Sequence, residues 1–196
     1  NRSKTKERQV SVMESVTTRF GNEEIVISTG KLAKQADGAV TVQCGGTMVL
    51  VTCVCSKDAA EWASFFPLTV EYKERTFAAG KIPGGFFKRE GRPTEKEILT
   101  SRMIDRPIRP LFPEGMMNDL QVIATVLSSD GKIESDTLAI IGASAALTIS
   151  DIPFNGPIAG IRVARVNDEF ILNPTFEQTE DSQLDLIVVG NKESVV

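Results

Sequence analysis

Many short segments of this chain alternate apolar with polar residues or run apolar throughout, and both patterns are typical of β-strands. The clearest two are residues 39–44 and 47–56, which are rich in Val, Thr and Cys. Gly45 and Gly46 join them and suit the positive φ angles of a tight hairpin. Residues 121–127 are apolar on both faces, as expected of a central strand. Further strands are predicted over residues 12–20, 24–29, 66–73, 161–166, 169–172 and 184–189. Asn167 and Asp168 are predicted to join the strands at 161–166 and 169–172.

Two segments have the spacing of helices. Thr94 and Glu97 form a capping box, so a helix is predicted from about Glu95 until Pro107 stops it. A second helix is predicted over residues 135–149, where small side chains permit close packing on a sheet. The alternation of strand blocks with helices predicts a single α/β or α+β domain, with mixed sheets and packed helices.

Composition narrows the chemistry that this chain can perform. It has 196 residues, a formal charge of -4 and no histidine, so imidazole bases and histidine metal ligands are excluded. Cys53 and Cys55 have the spacing of same-face neighbours on a strand, which indicates reduced, buried thiols rather than a disulfide or metal motif. No apolar run reaches membrane-spanning length. These features indicate a soluble intracellular protein that acts through carboxylates, hydroxyls or cations.

The segment GKIPGGFFKREGRPTEKE, residues 80–97, combines glycines, adjacent aromatic residues and flanking cations. Aromatic faces stack on bases while Lys and Arg follow phosphates, so the pattern favours a loop that binds single-stranded nucleic acid through Phe86 and Phe87. Residues 80–115 hold eight Lys and Arg against five Asp and Glu, although the whole chain is acidic. Two alternatives remain open: one Phe lies in the core and the charges are merely solvated, or the loop binds another protein.

Three arginines follow this loop. Arg102 and Arg106 are four residues apart on the predicted helix, and Arg109 follows in a similar direction. Aligned guanidiniums would bind phosphate oxygens bidentately and keep their charge at any physiological pH. The alternative is that they pair with Asp105, with Glu97 or with acids of a neighbouring strand.

Three longer motifs carry a resemblance to a known family: FFKREGR at residues 86–92, IDRPIRPLFP at residues 104–113 and GASAALTISDIPFNGP at residues 142–157. Together they resemble the first core domain of the polynucleotide phosphorylases, and the match extends from about residue 20 to residue 190. The resemblance implies an RNase PH-like core domain of the ribosomal protein S5 domain 2-like type. It also implies a phosphate-dependent 3′-to-5′ exoribonuclease that degrades single-stranded RNA, including mRNA, to nucleoside diphosphates.

In that family, two RNase PH-like domains per chain assemble as a homotrimer, and RNA threads the pore of the resulting six-domain ring. The resemblance implies that Phe86 and Phe87 stack on RNA bases at the entrance, with Lys88, Arg89 and Arg92 holding the backbone. Lys88 stands where the commoner form has arginine, which keeps the charge and loses the forked donors.

The resemblance places the reacting groups in the second core domain, outside this chain. There the family binds Mg²⁺, and inorganic phosphate attacks the terminal phosphodiester. In this chain residues 131–134, Gly-Lys-Ile-Glu, replace a Gly-Ser-Ser-Ser phosphate cradle, and Thr179 stands six residues before Asp185 where a metal-binding aspartate pair is expected. We therefore expect no catalytic residue and no metal ligand here. The positions that the resemblance puts near the substrate path are Arg102, Arg106 and Arg109.

Residues 1–11 are predicted to be a flexible lead-in and residues 12–196 the first core domain, which we expect to continue past Val196. The expected partners are single-stranded RNA, the other copies of a homotrimer and further RNA-degradation proteins, with no membrane and no DNA. We expect a bacterial cytoplasmic location, with an organelle as the alternative. Two other functions remain open: a non-catalytic exosome-like ring subunit, or a single-domain RNase PH-type enzyme that trims tRNA.

Overall fold

The computed structural model describes residues 13–21, 23–61 and 63–195. The predicted lead-in and the first residue of the strand predicted at 12–20 lie outside these ranges. Within them the chain forms two sheets and three α-helices. The strands are β1 (Glu14–Phe20), β2 (Glu23–Thr29), β3 (Gly38–Cys44), β4 (Thr47–Ala59), β5 (Leu68–Glu74), β6 (Asn118–Ser128), β7 (Ala159–Val166), β8 (Glu169–Leu172) and β9 (Asp185–Gly190). The helices are α1 (Glu95–Ile108), α2 (Ser135–Ile149) and α3 (Phe176–Glu180), with 3₁₀ turns at Thr76–Ala79 and Arg109–Leu111.

The larger sheet has six strands in the order β1-β2-β3-β4-β6-β5. All neighbours are antiparallel except β5 and β6, which run parallel, so β5 forms one edge of the sheet. The predicted hairpin is confirmed, because β3 and β4 pair throughout with Cys44 opposite Thr47. Gly45 adopts φ +55° in the turn, and Asp130 accepts the Gly46 N–H at 2.9 Å, which ties the hairpin to the loop before α2.

Strand β6 is internal to the sheet, as predicted, but only one of its faces is fully buried. On the other face Ile123 and Leu127 are partly exposed. Helix α2 packs closely on the buried face of the larger sheet, because a Cβ on Gly142 would lie 2.5 Å from a methyl group of Val51 in the neighbouring strand β4. The residues of β6 that point into this core are Leu120, Val122, Ala124 and Val126.

The smaller sheet has the order β8-β7-β9 and is antiparallel throughout. It also packs on α2, because a Cβ on Gly160 of β7 would lie 3.0 Å from Ile140 of α2. Asn167 and Asp168 join β7 to β8 with φ angles of +51° and +66°, which confirms the turn predicted there. Helix α2 therefore contacts both sheets, and the predicted mixed α/β architecture is confirmed.

Two helical details differ from the sequence-based expectation. Helix α1 continues one residue beyond Pro107 instead of stopping there, because a proline in the last turn removes only one backbone hydrogen bond. The Arg109 N–H then donates to the Asp105 carbonyl and completes the turn. The short helix α3 was not predicted, although Thr175 and Gln178 form a capping box, since five residues show too little periodicity.

The three cysteines are free thiols. Cys44 and Cys53 are buried, and burial raises the pKa of both to about 11, so they stay protonated at neutral pH. Cys55 shares the face of Cys53 but is only partly buried, so the predicted burial is confirmed for Cys53 alone of that pair. In the described part of the chain, no helix is both long enough and apolar enough to cross a membrane.

Candidate nucleic-acid interface

The glycine-rich loop leaves β5 through a 3₁₀ turn and ends at the first turn of α1. The turn is held on the body of the protein, because Ala78 packs against the core and its carbonyl accepts the Ser129 N–H at 3.0 Å. Gly80 closes the turn with φ +68°, and its N–H donates to the Phe77 carbonyl at 2.9 Å. At the far end, the predicted capping box at Thr94 is confirmed and starts α1. Both ends of the loop are thus attached to regular structure.

Phe86 and Phe87 lie in the middle of this loop and are 92% and 78% exposed. The two rings contact each other edge to face, with centroids 5.4 Å apart. The alternative in which one phenylalanine joins the core is therefore wrong. Two aromatic rings in solvent offer faces on which flat groups such as bases can stack.

Lys88, Arg89 and Arg92 are exposed beside the rings, and none has a hydrogen bond or ion pair with a residue that the structure describes. Lys88 adopts φ +51°, a left-handed conformation that turns the chain just after the rings. Glu90 behaves differently, because its two carboxylate oxygens accept the N–H and the hydroxyl of Thr76 at 3.0 and 2.9 Å. The cations of the loop are therefore available to phosphate, while its carboxylate is bound by the protein.

A cleft of about 850 Å³ opens between the end of β5, the base of the loop and α1. Two of its acids are bound within the protein, since Glu97 accepts the Glu74 N–H at 2.9 Å and the Glu74 carboxylate accepts the Tyr72 hydroxyl at 2.8 Å. Three arginines also line the cleft: the charge of Arg75 helps to lower the pKa of Glu97, and the side chains of Arg92 and Arg102 have no hydrogen bond or ion pair with a described residue. Sequence reasoning missed Arg75 because it follows a strand and belongs to no motif.

Arg109 does not align with the other two arginines of α1. Its guanidinium binds both carboxylate oxygens of Asp105 at 2.8 to 3.2 Å and donates to the carbonyls of Phe66 and Leu68 at 3.2 and 3.1 Å. The predicted alignment is therefore wrong for Arg109, and the alternative, a pair with Asp105, is the one observed. These bonds attach α1 to the outer edge of β5.

The side chains of Arg102 and Arg106 are exposed and have no hydrogen bond or ion pair with any residue in the described ranges. Arg102 lines the large cleft. Arg106 lines a separate cavity of about 260 Å³, together with Met103 and with Ile187 of β9. The two guanidiniums thus reach different depressions of the surface, and their placement near a substrate path stays a prediction.

A second group of charges lies where α2 meets the smaller sheet. Arg162 donates from Nε and Nη2 to the two oxygens of Asp185 at 2.7 and 2.6 Å, and from Nη1 to Asp136 at 3.2 Å. Its side chain is 16% exposed, and Glu134 lies 3.9 Å from Nη1. Sequence reasoning did not identify Arg162, because a single arginine in a strand carries no recognisable spacing.

Two of the acids around Arg162, Asp185 and Asp136, have pKa values that are shifted in opposite directions. Hydrogen bonds from Arg162 lower the pKa of Asp185. Burial raises the pKa of Asp136, and the nearby charge of Glu134 raises it further, while Arg162 opposes both. Arg162 therefore compensates the negative charge at the start of α2 together with Lys96, whose ammonium lies 2.9 Å from a carboxylate oxygen of Glu134.

The position aligned with a metal-binding aspartate does not fit a divalent cation in this chain. Both oxygens of Asp185 are taken by Arg162. Thr179, six residues earlier, lies in α3 and donates its hydroxyl to the Thr175 carbonyl at 3.0 Å. The residues that the structure describes contain no group of three or more His, Cys, Asp or Glu side chains that could hold a metal ion.

Comparisons with curated proteins return polyribonucleotide nucleotidyltransferases. The protein from Geobacter sulfurreducens is 59% identical over 181 residues, which make up 92% of this chain and 26% of that protein. The protein from Geotalea uraniireducens is 56% identical over 181 residues, with the same shares. This chain thus spans 26% of the length of these relatives. The resemblance to the polynucleotide phosphorylases is confirmed.

Solved structures show the fold. The Archaeoglobus fulgidus exosome with RNA bound to the active site matches with a TM-score of 0.66 at 19% identity, over 91% of this chain and 76% of that chain. Rice (Oryza sativa) Rrp46 matches with a TM-score of 0.66 at 15% identity, over 96% and 80%. The predicted RNase PH-like fold is confirmed. The sequence matches the 3′ exoribonuclease family, domain 1, over residues 22–153 and domain 2 of that family over residues 156–196, so the chain belongs to the 3′ exoribonuclease family.

Proposed function

We propose that this chain, residues 12–196, is the first core domain of a phosphate-dependent 3′-to-5′ exoribonuclease, and that it binds and guides single-stranded RNA. The observation that carries the proposal is the exposed pair of Phe86 and Phe87 beside cations without a described partner. Stacking on an aromatic face does not depend on the base, and every nucleotide brings a phosphate. Such a loop holds RNA of any sequence.

The chemical step belongs, in this proposal, to a second core domain outside this chain. Inorganic phosphate attacks the terminal phosphodiester there and a nucleoside diphosphate leaves, while Mg²⁺ neutralises the developing charge. Two features of this chain support that division. Asp185 is paired with Arg162, and Glu134 stands at the N-terminus of α2, where a carboxylate repels phosphate.

The comparisons support the choice of substrate and assembly. The relatives are named nucleotidyltransferases, and the Archaeoglobus structure holds RNA in its active site. For this protein we propose single-stranded RNA, including mRNA, as substrate, a homotrimer that forms a six-domain ring, and the bacterial cytoplasm as location. Arg102 and Arg106 would guide the RNA backbone, and Arg75 and Arg92 would assist from the same cleft as Arg102.

The test is RNA binding by the full-length protein with Phe86→Ala and Phe87→Ala combined. Stacking is worth about 1 to 3 kcal/mol per base, so affinity for single-stranded RNA should fall at least about fivefold with no change in thermal stability. Phe170→Ala is the matched control, because Phe170 is also exposed but lies on the smaller sheet. Unchanged affinity in a folded double variant would refute the stacking role.

A second experiment separates this function from a self-sufficient enzyme that trims tRNA. Residues 1–196 alone are incubated with poly(A), inorganic phosphate and Mg²⁺ beside the full-length protein, and ADP is measured. We expect ADP from the full-length protein only. ADP release by the chain alone would place the chemistry in this domain and contradict the proposal.

A further inference from the structure

We propose that Glu90 is a positioning residue, whose carboxylate pins the RNA-binding loop to Thr76 and so holds Phe86 and Phe87 in place for stacking. The inference rests on the proposed function of that loop. Its basis is the pair of hydrogen bonds from the Thr76 N–H at 3.0 Å and from the Thr76 hydroxyl at 2.9 Å.

Thr76 receives both ends of the loop. At the start, the Lys81 N–H donates to the Thr76 carbonyl at 3.2 Å. At the end, Glu90 accepts the other two polar groups of the same residue. Residues 81–90 therefore form a closed loop, with the two phenylalanines between its attachment points.

Thr76, the residue to which Glu90 binds, is itself attached to the body of the protein. Thr76 begins a 3₁₀ turn whose next residues are fixed by the packing of Ala78 and by its bond from Ser129 at the end of β6. Among the described residues, no hydrogen bond or ion pair joins the body of the protein to Phe86, Phe87, Lys88 or Arg89. On the C-terminal side of the two rings, Glu90 is thus the attachment to the body of the protein that lies nearest to them in the chain.

The negative charge of Glu90 is unfavourable in a loop that binds RNA, and a positioning role explains why a carboxylate stands there. A carboxylate between Arg89 and Arg92 repels phosphate and should weaken RNA binding by itself. It pairs with neither guanidinium within the part of the chain that the structure describes. Ordering a loop before RNA arrives removes an entropic cost of binding, which offsets that repulsion.

The experiment compares Glu90→Ala with Glu90→Gln in the full-length protein, with KM for single-stranded RNA and kcat for phosphorolysis as readouts. Alanine removes both hydrogen bonds, so KM should rise about fivefold while kcat stays within about twofold of wild type. Glutamine keeps an oxygen that can accept the Thr76 N–H, so KM should stay near or below the wild-type value. Both variants lose the negative charge, but only Glu90→Ala is expected to bind RNA more weakly.

A purely electrostatic role predicts the opposite sign, since both variants would then bind RNA more tightly. That result would overturn the proposal. Glu114→Ala is the charge-matched control, because Glu114 is exposed, lies outside the loop and has no hydrogen bond or ion pair with another described residue. Its KM should match wild type.

Trypsin cleavage of the native protein tests the anchor without RNA. The loop offers cleavage sites after Lys81, Lys88 and Arg89, and Glu90→Ala should be cut there about fivefold faster than Glu90→Gln or wild type. Equal cleavage of all three would refute the positioning role.

RNA binding by the Phe86→Ala and Phe87→Ala double variant is measured in parallel. If it binds RNA normally, the proposed function fails; if it binds weakly while Glu90→Ala binds normally, only the present inference fails.

Discussion

Arg162 binds Asp185 through two parallel hydrogen bonds, from Nε to Oδ1 at 2.7 Å and from Nη2 to Oδ2 at 2.6 Å, and this pair links β7 to β9. The remaining nitrogen of the guanidinium donates to the buried carboxylate of Asp136 at the start of α2. One side chain therefore joins the smaller sheet to the helix that packs on the larger one. A buried carboxylate that loses the guanidinium bonded to it is poorly compensated in a medium that solvates it poorly.

Replacement of Arg162 should therefore destabilise the fold. We expect Arg162→Met to lower the free energy of unfolding by about 3 kcal/mol, because Asp136 stays buried without the guanidinium that is bonded to it. Arg165→Met, on the same strand, should lower it by less than about 1 kcal/mol, because its partner Asp168 is 84% exposed. Chemical denaturation of the two variants measures the difference, and equal losses would contradict the assigned role of Arg162.

Glu97 should make stability depend on acid pH. Burial raises its pKa, but hydrogen bonds from the N–H groups of Thr94 at 2.7 Å and Glu74 at 2.9 Å act the other way, and the net shift is downward. A carboxyl whose pKa is lower in the folded state stabilises the fold above its unfolded pKa of about 4.3. That stabilisation is lost as the pH falls through the lower, folded value.

The corresponding variant is Glu97→Gln. At pH 7 it should unfold with a free energy about 1 kcal/mol below wild type, because an amide accepts these bonds less well than a carboxylate. The difference should shrink as the pH falls below the unfolded pKa of about 4.3 and through the lower pKa of the folded state, because the wild-type carboxyl then becomes protonated. Denaturation curves between neutral and acid pH test this, and a constant difference would contradict the linkage.

Substitution of Arg102 should affect RNA binding, whereas substitution of Arg109 should affect the stability of the fold. Arg102→Gln removes an exposed cation of the cleft, so it should weaken RNA binding by the full-length protein about three- to tenfold without lowering the melting temperature. Arg109→Gln removes the bonds to Asp105 and to the β5 carbonyls, so it should lower the free energy of unfolding by about 1 to 2 kcal/mol. RNA titrations and thermal melts of both variants test this prediction. Lower stability of Arg102→Gln and weaker RNA binding of Arg109→Gln would contradict it.

Gly38 should tolerate no side chain. A Cβ there would lie 2.2 Å from the backbone oxygen of Ala146 in α2, and backbone atoms cannot move aside as a flexible side chain can. We expect Gly38→Ala to lower the free energy of unfolding by about 3 kcal/mol. Gly84→Ala is the control, because a Cβ at Gly84 meets nothing within 4 Å, and it should change stability by less than about 0.5 kcal/mol. Similar stability of the two variants would contradict the close contact between β3 and α2.

Local signals predicted much of the fold. The Gly45–Gly46 turn, the capping box of Thr94 and Glu97 and the strand pair around Asn167 each depend on neighbours in sequence, and each is confirmed. Glycines and cations on both sides favoured exposure of Phe86 and Phe87, but the alternative with one ring in the core stayed open until the structure placed both rings in solvent. Helix α3 escaped prediction because it is a single short turn held by its caps.

The roles of the arginines could not be predicted in this way. Arg109 was expected to align with Arg102 and Arg106, yet its guanidinium lies at the edge of β5, where two carbonyls and Asp105 accept its hydrogen bonds. Arg162 carries no motif, and its partners lie 26 and 23 residues away in the chain. A guanidinium binds the oxygens that the fold brings within reach, whatever their separation in sequence.

Local patterns in the sequence were enough to predict the strands, helices α1 and α2, the tight turns and the family resemblance, because periodicity, caps and glycines act over a few residues. Which charges remain for a ligand depends instead on how the chain packs in three dimensions. This packing paired Arg109 with Asp105, surrounded Arg162 with acids, turned Glu90 toward Thr76 and left Arg75 facing the cleft beside Arg102. Hydrogen bonds and ion pairs act over a few ångströms of space, so they are settled when distant segments meet.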